Sequence, residues 1–492
     1  MVVEVPVFFN NPDANSAFNN SALALKYNVA TNKVSKPSVY VTPRMGFNWD
    51  INGDGTSQLR GGAGFFTGPS PLVWLSNQYG NTGVASIRYS SVPSTLRFKY
   101  DPNDAHLGAY IPDSFTPAPT EIDVTDKDFK LPTVFRSNLA LDQKLPFWGL
   151  VGTLEALYTK TFNNILYQNI NIANQTGVTT IGNTTRPYYN FTRADNNFSD
   201  VILLTNTNKG YTYNLTAQIQ KPLSRGWTGS IAYTYGDAFS VNDGTSSTAI
   251  SNWRYAYTTN GLNNLSLSRS NFSPGSRIIG YVGKSFKYAS NKVSTTVGLV
   301  YSGQSGQPFS YLYSGNINGD DISTKTNAQD LVYLPATIQQ SQFVDFVRTN
   351  ADNSKTTVTA AQQWADYQTF VAGNKYLKEH LGQNTSRNGD RMPWENHVDL
   401  KVTQSFNFYK EHKLEVSLDM FNIGNLIKKE WGRSYYLGNQ SYNLFSVINQ
   451  TSSPTFTFDS SKLTNVDGKL RAYTIADYTS RWRGQLSVRY SF

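Results

Sequence analysis

The last twelve residues alternate without a break. Trp482, Gly484, Leu486, Val488, Tyr490 and Phe492 fall on one side of an extended chain, and Arg481, Arg483, Gln485, Ser487, Arg489 and Ser491 on the other. The pattern recurs upstream. Leu414, Val416, Leu418 and Met420 alternate with Lys413, Glu415, Ser417 and Asp419. Trp227, Gly229, Ile231, Tyr233 and Tyr235 alternate with Thr228, Ser230, Ala232 and Thr234. Tyr211, Tyr213, Leu215, Ala217 and Ile219 alternate with Thr212, Asn214, Thr216 and Gln218. Each segment is a strand with one apolar and one polar side.

Read this way, the chain yields eleven strands, near 39–50, 56–67, 132–145, 149–162, 208–221, 226–239, 274–287, 292–304, 394–408, 413–424 and 481–492. They are longer than the roughly 5–6 residues usual in soluble sheets. They meet the roughly 9–11 that a tilted strand needs to cross a bilayer. Their connections alternate between short turns and long loops at 68–131, 163–207, 240–273, 305–393 and 425–480. Loops beyond about 15 residues are uncommon in compact domains. Here five fall at the same end of the sheet, the asymmetry of a transmembrane β-barrel.

Composition agrees. Aromatics make up 14% and charged residues only 16%, the opposite of a disordered or coiled-coil chain. No stretch is long and apolar enough for a membrane helix. With 0 Cys, disulfides, thiolate metal sites and cysteine nucleophiles are excluded. The net charge of +9 is spread without a basic run, which argues against a nucleic-acid partner. Alternation does not by itself separate a membrane barrel from a soluble one, so a secreted β-rich module binding carbohydrate or peptide remains the alternative.

Several segments in order resemble the TonB-dependent outer-membrane receptors, and most of all the Oar-like branch with long surface loops, typical of Bacteroidetes. They include Pro43 to Asp50, Gln58 to Gly68, Phe129 to Pro132 with Phe135-Arg136, and Tyr301 to Phe309. Asp330 to Pro335, Arg391 to Trp394 with Asp399, and Phe421 to Leu426 continue the series, which closes on Phe492. The resemblance implies an all-β, antiparallel transmembrane barrel, integral to the outer membrane and in contact with its lipid. It implies energised uptake of a ligand too large for porins, and no enzymatic chemistry, catalytic residue, cofactor or metal. Family barrels have about 22 strands. The eleven here therefore correspond to a C-terminal part, with residues 1–36 as an extracellular loop segment and 37–492 as barrel. No segment matches a signal peptide, a TonB box or a plug domain. Coupling to the TonB complex, and a missing N-terminal half as partner, are expected outside this sequence. Orientation follows from Phe492 at the periplasmic end: short turns periplasmic, long loops outside.

The remaining motifs are local. Asp50-Ile51-Asn52-Gly53-Asp54-Gly55 matches the start of a calcium loop, but position twelve is Gly61 where a bidentate Glu is required, so it reads as a turn. Ile317-Asn318-Gly319-Asp320-Asp321 is richer in oxygen donors, though a polar loop has the same composition. Glu395, His397 and Asp399 share a strand face, as a lumenal acid–base or metal cluster or as part of a hydrated interior wall. Trp253, Tyr255, Tyr257, Tyr311, Tyr313 and Trp431 lie in or beside long loops. They are candidate ligand contacts, because flat aromatic faces with polar tips suit sugars and peptides; an aromatic girdle uses the same residue types.

Overall fold

The computed structural model describes residues 2–4, 12–69, 72–84, 119–324, 326–408 and 411–492. All eleven expected strands form, as β1 Arg44–Asp50, β2 Ser57–Thr67, β3 Thr133–Lys144, β4 Val151–Asn169, β5 Gly210–Ser224, β6 Trp227–Ser240, β7 Gly275–Tyr288, β8 Val293–Gln304, β9 Glu395–Asn407, β10 Lys413–Phe421 and β11 Arg483–Ser491. They make one antiparallel meander in which each strand pairs with its neighbours in sequence. Short turns therefore all lie at one end and long connections at the other. Among the described residues β1 pairs only with β2 and β11 only with β10.

Strand limits moved where local chemistry dictates. The first strand starts at Arg44 rather than 39. Pro43 has no N–H to give the ladder, and Ser38–Tyr40 instead pairs with Val2–Glu4. The strand expected to reach 424 stops at Phe421, because Asn422 takes φ +54° and starts a short helix, Ile423–Ile427. β4 runs to Asn169, seven residues past the expected end, since its upper part pairs with Phe198–Thr207.

The short turns follow their residues. Arg225 and Gly226 both take positive φ, the two-residue hairpin turn whose twist suits flanking strands. A side chain at position 226 would collide with the Ser285 carbonyl. At 50–57 the Asp50 carboxylate accepts from the backbone N–H of Gly53 (3.1 Å) and Gly55 (2.7 Å). That carboxylate is occupied by its own turn. The turn at 409–412 falls partly outside the described residues.

Residues directly opposite on paired strands share a face. One row across nine strands reads Asn48, Arg60, Ala140, Glu155, Thr216, Thr234, Arg277, Gln304, Glu395. On this polar face Arg60 pairs with Asp142 at 2.8 Å, and Thr153 donates to the same carboxylate at 2.6 Å. Rows on the other face read Trp49, Leu59, Leu141, Leu154, Ala217, Tyr233, Ile278 and Leu486, Leu418, Val402, Val297. Ile279, Tyr281 and Val300 are apolar side chains on the polar face.

The apolar face is uncovered by protein: Leu486 is 71% and Val488 67% exposed. A sheet this wide with its apolar side outward has lipid as its only suitable solvent. Leu486→Arg should therefore cost about 2–4 kcal/mol if it sits near the bilayer midplane, and Gln485→Arg much less. Heat-modifiable mobility of outer-membrane extracts checks this. Equal loss of folded protein in both variants would contradict the assignment of faces.

Candidate functional site

The long connections fold together. One core gathers Ile181, Phe309, Tyr311, Tyr313, Tyr333, Tyr367, Phe445 and Phe458 from three of them. A second joins Phe18, Leu23 and Val29 to Ile122, Ile170, Phe198 and Leu203, placing the described part of 12–36 in this layer. A third sets Trp253 against Ile165, Tyr167, Leu204 and Leu262.

These cores sort the six candidate aromatics into three that are buried and three that are not. Trp253, Tyr311 and Tyr313 are buried, packed among aliphatic and aromatic side chains that other connections supply. Trp253 Nε1 donates to Asn263 at 2.9 Å. The Tyr311 hydroxyl donates to Asp390 at 2.9 Å, and burial together with that carboxylate pushes its pKa well up. Tyr313 packs on Phe456 and its hydroxyl accepts from the Tyr333 N–H. Trp431 is exposed on the last long connection, away from the cleft described next.

Tyr255 and Tyr257 line a cleft of about 760 Å³ between the connections after β6, β8 and β10. Tyr255 is 57% exposed, while the Tyr257 hydroxyl bonds Ser441 Oγ at 3.2 Å. Tyr436 and Leu437 add apolar surface, and Asn242, Asn271, Asn439, Gln440 and Asn443 add amide donors and acceptors. Arg387 and Asp243 also line it. Sequence reading missed Arg387, which stands in no motif. Its buried guanidinium donates to the Val241 carbonyl at 3.1 Å and to Ser240, and burial lowers its pKa. The Asp243 carboxylate accepts from Ser270 Oγ at 2.7 Å and from the Asn271 N–H at 2.9 Å. Both charges are thus fixed by the frame. The cleft's free chemistry is two or three aromatic faces and a set of amides, suited to a polar, uncharged or weakly charged ligand.

The cleft's rim is tied to the wall. Asp237 at the top of β6 pairs with Arg269 at 3.0 Å and takes a bond from Ser273, which Arg391 also reaches. Glu395, His397 and Asp399 do not converge on one another's chemistry. Glu395 accepts from the Tyr435 N–H at 2.9 Å, His397 Nε2 meets Ser434 Oγ at 3.2 Å, and Asp399 accepts from the Asn422 N–H at 2.7 Å. The trio clamps the last long connection to β9.

With this geometry in hand the chain can be placed. Residues 7–458 match the family described as "Outer membrane beta barrel domain". The chain belongs to that family. No curated protein matches it by sequence. Among solved structures it is similar to the outer membrane transporter YddB from Escherichia coli, at 11% identity and TM-score 0.41, covering 92% of this chain and 41% of that one. It is also similar to a mutant of the ferric enterobactin receptor PfeA from Pseudomonas aeruginosa, at 11% identity and TM-score 0.36, covering 91% and 39%. The siderophore receptor PirA from Acinetobacter baumannii gives 9% identity and TM-score 0.33, covering 80% and 38%. The chain thus spans about two fifths of the length of these relatives. Membership of the family settles the solvent of the apolar face, and with it the choice against a secreted module: this is an integral outer-membrane β-barrel protein.

The aromatic sorting is testable in the intact barrel. Tyr313→Ala removes a fully buried ring and should destabilise the loop layer by about 3–5 kcal/mol. Proteolysis within 305–393 should then accelerate while the strands stay protected. Tyr436→Ala, at the exposed cleft wall, should leave the cleavage pattern unchanged.

Proposed function

We propose that this chain is the barrel wall and extracellular cap of a TonB-dependent transport receptor, and that the cleft lined by Tyr255, Tyr257 and Tyr436 is where its ligand is first held. The observation that carries this reading is the folded layer that the long connections build over one end of the sheet. Five turns at one end are minimal, while the long connections at the other fold into cores of their own around a polar, aromatic cleft. A structural porin has no need of such a head; a receptor that selects ligands does. The TonB complex would act through a plug and TonB box outside these residues. The chain itself does no chemistry on the ligand.

The completing partner is further strands. Among the described residues the ladder ends on β1 and β11, and each edge leaves a row of backbone groups which in hydrocarbon cost several kcal/mol apiece. Set against a net stability of about 5–15 kcal/mol, such edges are not sustainable. We therefore read the eleven strands as part of a wider barrel closed by strands beyond residues 44–491.

Orientation is checked by epitope insertion. A tag at Asn353, on an exposed hairpin of the loop layer, should bind antibody on intact cells, and one at Ala289, in the turn between β7 and β8, should not. Reversed labelling would overturn the reading. For transport, cells with and without the receptor are compared for depletion of oligosaccharides, peptides and chelates from a defined medium. Depletion should require both the receptor and the proton-motive force. Tyr255→Ala with Tyr436→Ala should weaken capture on the order of ten-fold or more, since exposed aromatic anchors dominate such sites. Depletion that survives collapse of the proton-motive force would exclude TonB-type coupling.

A further inference from the structure

Outside the cleft, the densest set of unanswered polar atoms lies in the turn 316–321 and at residues 329–330, which return beside it. Asn316, Asn318, Asp320, Asp321, Gln329 and Asp330 are all at most 1% exposed. Buried carboxylates and amides are normally fully partnered. Here Asn318 Oδ1, Asp320 Oδ1, Gln329 Oε1 and Asp330 Oδ1 have no hydrogen-bond partner among the described residues. Four acceptor oxygens, two of them carboxylate, are thus left over in one loop.

For three of the four groups the second atom is pinned, whereas Gln329 Nε2, like its Oε1, has no partner among the described residues. Asp330 Oδ2 accepts from the N–H groups of Ile317 (2.6 Å) and Asn318 (3.3 Å), which seats its carboxylate beneath the turn. Asp320 Oδ2 accepts from the Leu262 N–H at 2.7 Å. Asn318 Nδ2 donates to the Thr259 carbonyl at 3.1 Å. Gly319 makes the turn at φ +68°, and a Cβ there would lie 3.0 Å from the Asn190 nitrogen. The N–H of Tyr189 donates to the Asn318 carbonyl at 2.8 Å. The free oxygens of Asn318, Asp320 and Asp330 therefore belong to groups whose orientation the frame has already set. Asp321 is excluded, because Arg254 takes its carboxylate by Nε at 2.6 Å and Nη2 at 3.2 Å. Burial, and for Asp320 the neighbouring charge of Asp330, push the carboxyls up, Asp320 to about 7 and Asp330 to about 6, although Arg186 opposes the shift at Asp330. Among the described residues no three carboxylate, imidazole or thiolate side chains form a metal-holding group. The set is two carboxylates completed by amide oxygens.

We propose that Asp320 and Asp330, with the side-chain oxygens of Asn318 and Gln329, bind one calcium ion. All donors are hard oxygens, with no nitrogen or sulfur among them, which selects calcium or magnesium over transition metals. A set of two carboxylate and two amide oxygens suits calcium, whose coordination is irregular. Magnesium demands a near-ideal octahedron and keeps its water. The ion would join three long connections, because Leu262, Thr259 and Tyr189 hold the turn from two of them and Asp320 and Asp330 from the third. The site is independent of the transport reading.

The test uses the complete receptor isolated in detergent and stripped with EGTA. Terbium, a calcium stand-in, is titrated and its emission excited through nearby aromatic rings such as Tyr189, whose ring lies beside Gly261 next to Asp320. Saturable emission is expected. Calcium should displace it with half-effect on the order of 0.1–1 mM, the range of extracellular calcium modules, and magnesium should compete at least about ten-fold less well. D320N/D330N removes both free carboxylate oxygens and should lose most of that emission. D50N/D54N, in the turn whose carboxylates serve their own backbone, should retain it. Wild-type protein should also be cut faster within 258–331 in EGTA than in calcium. This last readout needs no variant to fold. Emission that calcium fails to displace, a folded D320N/D330N protein with unchanged emission, or cleavage indifferent to calcium would each overturn the proposal.

Discussion

A polypeptide in hydrocarbon has no water to satisfy its backbone, so every N–H and C=O within the membrane must be answered by a neighbouring strand. The eleven-strand ladder is the response, and the rest of the molecule is subordinate to it. Because pairing runs strictly between sequence neighbours, side chains divide into two faces with no choice of register left. One face meets lipid and is apolar from Trp49 to Leu486. The other can hold Arg60, Asp142, Lys401 and Asp419 in pairs such as Arg60–Asp142 and Lys401–Asp419.

The connections obey a different rule. Freed from the bilayer, they could have been loose, but a loop that long loses much conformational entropy if ordered without burying surface. They order by burying one another. Phe309, Tyr333, Tyr367 and Phe445 form a core that no single connection could make alone. Paired charges, Arg269–Asp237 and Arg254–Asp321, then fix where that core sits on the strand tops and how its segments meet.

This division explains what could be read from residues alone. Strands have a period of two, and all eleven were legible, most of their limits to within a few residues. Two limits moved where one residue broke the pattern, Pro43 at β1 and Asn422 at β10, and the largest moved where β4 gained a partner strand within the loop layer, Phe198–Thr207. The loop layer has no period. Tyr311 and Tyr255 are the same residue type in similar surroundings along the chain, yet one is buried against Asp390 and the other opens on the cleft. What separates them is contact between segments far apart in sequence, which no local pattern encodes. Arg387 was missed for the same reason: its partners are backbone carbonyls at 240 and 241. His397 was noticed for its neighbours on the strand, but its use is to hold Ser434 on a distant loop.

One strand crosses between the two regimes. β4 starts in the wall, opposite β3 and β5, and ends with Ile165 and Tyr167 inside a loop core. A rod continuous through both layers leaves no hinge at that point between wall and cap. On the proposed receptor reading, an arriving molecule would meet a surface already arranged, so little chain ordering would accompany its capture. Arrival would then be governed by diffusion to an open mouth rather than by waiting for a rare shape. Selectivity would have to come from how long a visitor stays, and whatever draws it inward would have to act within that dwell time.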